Sequence, residues 1–163
     1  MPKNFNPSQL PHAHMSAINN VEVPHVNHLE QNEFQQLLQQ ADYCDCIFDD
    51  DDEIFGFLIG FHKDNTNYQS FNFQWLQQHC DNFLYVDRII VAPWARSQGI
   101  GKRLYNNAAQ WCKQQGIDNV VCEVNHSPPN PNSHLFHQAL GFSALENVKH
   151  PEGKTVTMYQ WSL

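Results

Sequence analysis

Residues 91–103 read Val-Ala-Pro-Trp-Ala-Arg-Ser-Gln-Gly-Ile-Gly-Lys-Arg, and this stretch decides the fold. The β-branched and aromatic run Phe83–Val91 before it predicts a strand, which Pro93 ends. After it, apolar residues recur at helical spacing, so we predict a helix of about four turns that begins at the two glycines. The free N–H groups of a helix N-terminus favour an anion, and glycines let it approach the backbone closely. A phosphate is the most plausible ligand.

The composition indicates one acidic domain. With 163 residues and 41% hydrophobic content, the chain can bury one core but not two comfortable ones. Seventeen acidic and nine basic residues give a net charge of −8, which argues against a nucleic-acid partner and favours a cationic acceptor. Part of this charge is the run Asp49–Glu53, which we interpret as a solvated turn between two strands.

The cysteines and the apolar runs predict the cellular setting. Five cysteines without a C-x-x-C pair indicate neither a disulfide framework nor a zinc ribbon, which suits a reducing cytoplasm. The histidines near the C-terminal helix, including His126 and His134, form no recognisable metal-ligand set. No apolar run approaches the roughly 20 residues needed to span a bilayer, and the N-terminus lacks a signal-peptide core. We therefore expect a soluble, cytoplasmic protein with no metal and no membrane partner.

The first half of the chain predicts an arm, a strand, a helix and a hairpin. Three prolines and little periodic apolar content make residues 1–14 a flexible N-terminal arm before a single domain at 15–163. We predict a strand at Met15–Ile18 and an amphipathic surface helix over Glu30–Gln40. Two apolar runs that flank the acidic turn, Tyr43–Phe48 and Ile54–Phe61, predict an antiparallel hairpin.

The segment 62–82 predicts a loop with a short helix and carries an unusual group of aromatics: Tyr68, Phe71, Phe73 and Trp75. Such residues either line a substrate pocket or cover one edge of the core. Later in the chain we predict a strand at Val120–Val124 and a helix at Asn132–Leu140 that Gly141 ends. Two final strands, Phe142–Val148 and Thr155–Trp161, complete the chain.

Two common phosphate-binding patterns do not fit residues 91–103. A Walker loop needs a glycine five positions before Gly101 and a hydroxyl residue after Lys102, where this chain has two arginines. A Rossmann fingerprint needs a third glycine where this chain has Leu104. Another kind of anion site is needed.

The pattern that fits is Arg-x-x-Gly-x-Gly at Arg96, Gly99 and Gly101, preceded by Val-x-Pro. With the later segment Asn130–Phe142, it resembles the GNAT superfamily of acyl-CoA-dependent N-acetyltransferases over roughly 15–163. More narrowly, the chain resembles a bacterial subgroup of predicted acetyltransferases. The resemblance implies an α/β fold with a mixed, splayed central β-sheet flanked by helices.

The resemblance also implies acetyl-CoA as co-substrate and assigns residues to bind it. The loop amides would hold the coenzyme A pyrophosphate, and the strand edge would bond the pantetheine arm in the manner of an added strand. Asn130 would contact the coenzyme or merely cap a turn. The residues concerned are Ile89, Ile90, Val91, Arg96, Ser97, Gln98, Gly99, Ile100, Gly101, Lys102 and Asn130.

Acetyl transfer to an amine needs a base and a source of a proton for the departing thiolate, and three residues are candidates. Glu123 matches a general-base glutamate of some family members, although an outward-facing carboxylate is an alternative. Asp87 is a second candidate base, with an ion pair to Arg88 as its alternative. His137 stands where the family usually has a tyrosine acid; an imidazole can donate a proton, or it can simply pack at the helix surface.

We therefore expect acetyl transfer from acetyl-CoA to an amine by direct attack on the thioester. The acceptor is a small cationic amine or amino compound, or a peptide N-terminus, with the aromatics of the segment 62–82 as candidate substrate-binding residues. The missing tyrosine leaves an alternative, a catalytically weak acyl-CoA-binding sensor or interaction module. Whether the chain acts alone or as a homodimer stays open.

Overall fold

The computed structural model describes residues 3–163, and Met1 and Pro2 of the predicted arm lie outside them. The helices are α1 (His12–Val21), α2 (Gln31–Gln40), α3 (Phe71–His79), α4 (Ile100–Gln115) and α5 (Pro131–Leu140). The strands are β1 (Tyr43–Phe48), β2 (Ile54–His62), β3 (Phe83–Val91), β4 (Asn119–Ser127), β5 (Ser143–Lys149) and β6 (Thr155–Ser162). They form one sheet in the order β1-β2-β3-β4-β6-β5, antiparallel except between β3 and β4. The predicted mixed α/β sheet flanked by helices is confirmed.

The sheet splays between its two parallel strands. β3 and β4 pair at three positions only, Phe83 with Asn119, Leu84 with Val120 and Tyr85 with Val121. Beyond Tyr85, β3 continues paired with β2, and β4 continues paired with β6, so the edges that face each other part. This opening lies at the carboxyl ends of both strands, where open α/β sheets commonly bind ligands.

Tight packing of α4 on the sheet fixes the glycine loop at the end of β3. A Cβ on Gly56 of β2 would lie 2.7 Å from the carbonyl oxygen of Ile90 and 3.0 Å from Ile100 Cγ2. Leu104 and Ala108 are fully buried on the face of α4 that packs on β1, β2 and β3. The N-terminus of α4 is therefore held directly against the end of β3.

The strand predicted at Met15–Ile18 is wrong, because these residues lie within α1. Met15 and Ile18 are both buried, which is the i, i+3 spacing of one helix face. A four-residue apolar run fits either a strand or one helix face, and here the helix prevailed. The helix begins at His12, inside the predicted arm, and the Asn4 side chain bonds the backbone of Cys44. The flexibility of the arm stays a prediction.

The other predicted elements are confirmed, with boundaries that move by one to three residues. Glu30 and Glu33 form a capping box that starts α2. Gly116 and Gly141 end α4 and α5 with φ angles of +70° and +108°. Within residues 3–163, none of the helices combines the length and apolarity that a membrane crossing requires.

Candidate active site

A cleft of about 870 Å³ opens where β3 and β4 part. Its lining includes most of the residues that the sequence assigned to the site: Tyr68, Phe71, Asp87, Ile89, Ile90, Val91, Arg96, Ser97, Gly99, Ile100, Gly101, Lys102, Glu123, Asn130 and His137. Gln98, Phe73 and Trp75 are not part of the lining. Residues from eight different elements and loops thus converge on one opening.

The glycine loop has the backbone of an anion site. Ser97 and Gly99 have φ angles of +63° and +75°, and Gly99 is the residue just before α4. The first N–H groups of α4, like those of any α-helix, have no intrahelical partners, and the left-handed residues just before them are typical of backbone anion-binding loops. The side chain of Lys102 lies in the same cleft. Backbone dipoles and one cation therefore converge on the loop.

The two glycines of the loop serve different purposes. A Cβ on Gly99 would meet no atom within 4 Å, so this position needs glycine for its positive φ. A Cβ on Gly101 would lie 2.8 Å from Cζ of Phe136, so this glycine makes room for a ring of α5. Gly101 also lines the cleft, and the expectation that both glycines let a ligand approach the backbone stays a prediction.

Asn130 lies just before α5, and its side chain makes no capping hydrogen bond to the helix. It lines the cleft on the side of α5. A capping role, the alternative left open by the sequence, is therefore not what the geometry shows. The amide remains available to a ligand in the cleft.

Glu123 is a buried carboxylate, and one of its two oxygens has no hydrogen-bond partner. Tyr85 donates a hydrogen bond of 2.9 Å from its hydroxyl to Oε1, whereas Oε2 is buried without a partner. Burial and, secondarily, the Asp87 carboxylate raise the pKa of Glu123 from 4.5 to about 7, against the Tyr85 hydrogen bond, which lowers it. Such a carboxylate can accept a proton near neutral pH.

Asp87 is held in an ion pair. It accepts a 2.7 Å hydrogen bond from Arg88 Nε and a second one from the Tyr68 hydroxyl. Both side chains of the pair are only 8% exposed, and Arg88 also donates to Asn19 of α1. The ion pair that the sequence left as an alternative is what the structure shows, and it leaves Asp87 less free than Glu123 to take a proton.

His137 is buried, and both of its ring nitrogens are engaged. Nδ1 lies 2.7 Å from the Ser133 carbonyl oxygen, which can only accept, so Nδ1 carries the proton. Nε2 then accepts a 2.7 Å hydrogen bond from the Tyr105 hydroxyl. Burial lowers the pKa of His137, so the ring is favoured in its neutral form. A neutral His137 has no free N–H, and its exchange of protons with the cleft runs through Tyr105.

Comparison with known proteins decides the family. The profile of the acetyltransferase (GNAT) family matches residues 13–142, which is most of the chain. The chain belongs to the GNAT family. The aminoglycoside N(6')-acetyltransferase type 1 of Salmonella typhimurium is 32% identical over 71 residues, or 42% of this chain and 48% of that protein. The Serratia marcescens enzyme of the same name is 34% identical over 64 residues, or 39% and 42%. The chain thus spans about half the length of the curated relatives it matches.

Solved GNAT structures share the fold at low sequence identity. Ard1 from Thermoplasma volcanium superposes with a TM-score of 0.75 at 14% identity, over 98% of this chain and 94% of that one. An aminoglycoside 6'-N-acetyltransferase complexed with coenzyme A gives 0.69 at 13% identity, over 93% and 89%. The ribosomal-protein-S18-alanine N-acetyltransferase from Escherichia coli gives 0.67 at 14% identity, over 97% and 90%. At these identities the likeness shows the fold.

Several residues of this GNAT cleft had no signal in the sequence. Tyr85 and Tyr105 are completely or almost completely buried, and each sits among other apolar residues of its strand or helix. His150, from the turn between β5 and β6, also lines the cleft and lies 2.6 Å from Asn72 Oδ1. Pairing across elements, which no local pattern reveals, brings them to the site.

The predicted aromatic group divides in two. Phe73 is fully buried, and its ring packs on Phe61, Tyr68, Phe83 and Tyr85. Trp75 stacks on His79 with 3.8 Å between ring centroids. These two cover the core, as the alternative interpretation held, whereas Tyr68 and Phe71 line the cleft. Gln98 bonds the Trp94 carbonyl with its side chain and is exposed.

No group of three or more His, Cys, Asp or Glu side chains in the described range 3–163 could hold a metal ion.

Proposed function

We propose that this chain transfers an acetyl group from acetyl-CoA to an amine. The single observation that carries the proposal is the buried Glu123 Oε2, which lacks a partner at the splay and lines one cleft with the anion-binding loop. Acetyl transfer from acetyl-CoA to an amine needs a base for the proton of the amine and an anion site for the phosphates of the coenzyme. The cleft offers both.

The residues present fit coenzyme A. The left-handed Ser97 and Gly99 and the free N–H groups of α4 suit a pyrophosphate, with Lys102 as a positive partner. The edge of β3 at Ile89–Val91 has lost its β4 neighbour and can bond an extended amide chain as a strand would. Asn130 would contact the coenzyme from the start of α5. Coenzyme A, when bound, supplies the activated acetyl thioester.

Glu123 acts as the base in this proposal. Its carboxylate takes a proton from the incoming ammonium group, directly or through one water, which leaves a neutral amine able to attack. The new bond forms between the amine nitrogen and the acetyl carbon, and the bond from that carbon to sulfur breaks. Asp87 assists through its charge, which helps to raise the pKa of Glu123, and is the second candidate base.

His137 and Tyr105 stand where a proton for the departing sulfur is needed. Because neutral His137 keeps its proton on Nδ1, bonded to the Ser133 carbonyl, we assign the donation to the Tyr105 hydroxyl, which His137 Nε2 holds in place. Tyr105 gives its proton to the departing sulfur and takes up the second proton that the attacking nitrogen loses as it becomes an amide. Tyr105 also lies beside Cys122, which borders the gap between β3 and β4. The base would thus come from Glu123 of β4, and the proton donor from Tyr105 of α4, which packs beside the preceding β4 residue, Cys122.

The acceptor class follows from the comparisons only in outline. The curated relatives are named for aminoglycosides, and one structural neighbour is named for the N-terminal alanine of a ribosomal protein. The candidates are accordingly a small amine or amino compound and a peptide N-terminus.

We also propose a cytoplasmic location, which the five free thiols support. A homodimer is an alternative to the monomer that sedimentation of the purified chain would distinguish.

The engaged ring of His137 favours one other function. His137 stands where the family usually has a tyrosine as the acid, and neither of its ring nitrogens is free. The chain could therefore bind acyl-CoA as a sensor without transferring the acyl group. The enzyme and the sensor would bind the coenzyme with the same affinity and would differ in the rate of acetyl transfer.

The test measures binding and turnover in parallel. Calorimetry with coenzyme A reports affinity, and release of the free thiol from acetyl-CoA in the presence of amines reports transfer. The proposal expects micromolar binding, on the order of ordinary coenzyme sites, and amine-dependent thiol release. Tight binding with no release for any amine would favour the sensor, and no binding would contradict both functions.

A further inference from the structure

The carboxylates that line the cleft are already paired, with one exception. Three of them have a cationic partner: Asp87 pairs with Arg88 at 2.7 Å, Glu152 with Lys154 at 3.7 Å, and Glu22 with Arg96. Among the described residues that line the cleft, Glu123 is the carboxylate that forms no salt bridge, and the charge of Lys154 acts on it only from a longer distance. The cleft therefore offers one negative group to an incoming ammonium ion.

The longest acidic run of the sequence lies outside this cleft. The run Asp49–Glu53 forms the exposed turn between β1 and β2, as predicted, and none of its residues lines the opening. Its Asp49 side chain instead accepts hydrogen bonds from the backbone of Asp51 and Glu53. The net charge of −8 thus gives no reason to expect a polycation at the site.

An aromatic wall stands beside the one unpaired carboxylate. Phe71, the first residue of α3, is 38% exposed, and its ring centroid lies 4.4 Å from that of His150. His150 Nε2 lies 2.6 Å from the side-chain oxygen of Asn72, which fixes the imidazole ring in place. Burial lowers the pKa of His150, against the Glu152 carboxylate 3.2 Å from Nδ1, which raises it. Phe71, Asn72 and His150 all line the cleft with Glu123.

We propose that the acceptor is a small primary amine with one positive charge and an aromatic body, rather than a polycation such as an aminoglycoside. The inference rests on the proposed function and narrows its acceptor. The amine would meet Glu123, and the ring would lie against Phe71, in the offset or edge-on geometry that aromatic pairs prefer. Each further ammonium group of a polycation would lose its water in a cleft whose other carboxylates are paired.

The experiment compares kcat/KM for four amines with the full chain: 2-phenylethylamine, n-butylamine, spermidine and kanamycin. We expect 2-phenylethylamine to exceed spermidine and kanamycin by at least about tenfold, the size expected for one unpaired polar group. Phe71→Ala should lower the value for 2-phenylethylamine by about three- to tenfold and leave n-butylamine less affected. Phe48→Ala, a matched loss of an exposed phenylalanine outside the cleft, should change neither.

The outcomes separate this inference from the proposed function. A preference for spermidine or kanamycin, or an equal effect of Phe71→Ala on both monoamines, would overturn the inference while transfer itself stands. No transfer to any of the four amines, with coenzyme A still bound in calorimetry, would overturn the inference. If a peptide with a free N-terminus also gave no thiol release in the same assay, the proposed function would fall with it.

Discussion

Replacing Glu123 by Gln removes a buried charge and keeps the shape of the side chain. The folded chain raises the pKa of this carboxyl from 4.5 to about 7, which at roughly 1.36 kcal/mol per pH unit corresponds to roughly 3 kcal/mol. Because the folded state holds the proton more tightly than the unfolded state, the free energy of unfolding falls as pH rises from about 4.5 to 7. A glutamine cannot ionise, so the free energy of unfolding of Glu123→Gln should not show this decrease between pH 4.5 and 7.

Urea unfolding at two pH values measures this effect. At pH 8 we expect Glu123→Gln to be more stable than the parent chain by up to roughly 3 kcal/mol, and at pH 4 we expect little difference. Glu53→Gln, at an exposed position in the β1–β2 turn, is the matched control for the loss of one carboxylate. An equal change in stability at both pH values would refute the account of Glu123.

The same variant tests the catalytic role. The parent chain should show a kcat/KM that rises with pH through about 7 as Glu123 loses its proton. Glu123→Gln should lower kcat by about 10²- to 10⁴-fold and remove that acidic limb, while Glu53→Gln keeps both. A profile that retains the limb would assign the base to another group, with Asp87 as the next candidate.

Five further variants probe the loop and the proton donor. Gly99→Val places a side chain at φ +75°, a strain of about 1–2 kcal/mol, and should abolish coenzyme A binding in calorimetry with an unchanged circular dichroism spectrum; retained affinity would contradict the anion site. His137→Ala should lower kcat far more than coenzyme affinity, and Tyr105→Phe should reproduce most of that loss, so unchanged rates in both would remove the pair from the mechanism. Ser97→Gly relieves the φ of +63° and should raise the free energy of unfolding by about 0.5–1 kcal/mol in urea, whereas Ser97→Ala should bring no gain.

Local patterns in the sequence predicted the elements that carry the loop. The β-branched run Phe83–Val91, the proline after it and the periodic helix that follows are short-range signals, and the structure has all three. The acidic turn and the helix ends at Gly116 and Gly141 are equally local. The family resemblance supplied the mixed, splayed form of the sheet, which local patterns alone leave open.

The contacts within the site could not be predicted in this way. Tyr105 looks like one more apolar residue on the buried face of α4, and only the packing of α5 brings His137 to its hydroxyl. The exclusion of Phe73 from the cleft likewise depends on which face of α3 meets the core. The charge balance of the cleft depends on ion pairs such as Glu22 with Arg96, which are 74 residues apart in the chain. Composition counts charges but does not locate them.

The parting of β3 and β4 also has a mechanical consequence. The sheet consists of two halves, β1-β2-β3 and β4-β6-β5. Their backbones pair at three positions only, from Phe83 with Asn119 to Tyr85 with Val121. The strands within each half pair over six or more positions, so the three-position junction is the weakest link of the sheet and lies at one end of it. A ligand that lies along the unpaired edges of β3 and β4 would join the two halves at the open end. Its binding would therefore depend on how stiffly the sheet holds these halves relative to each other.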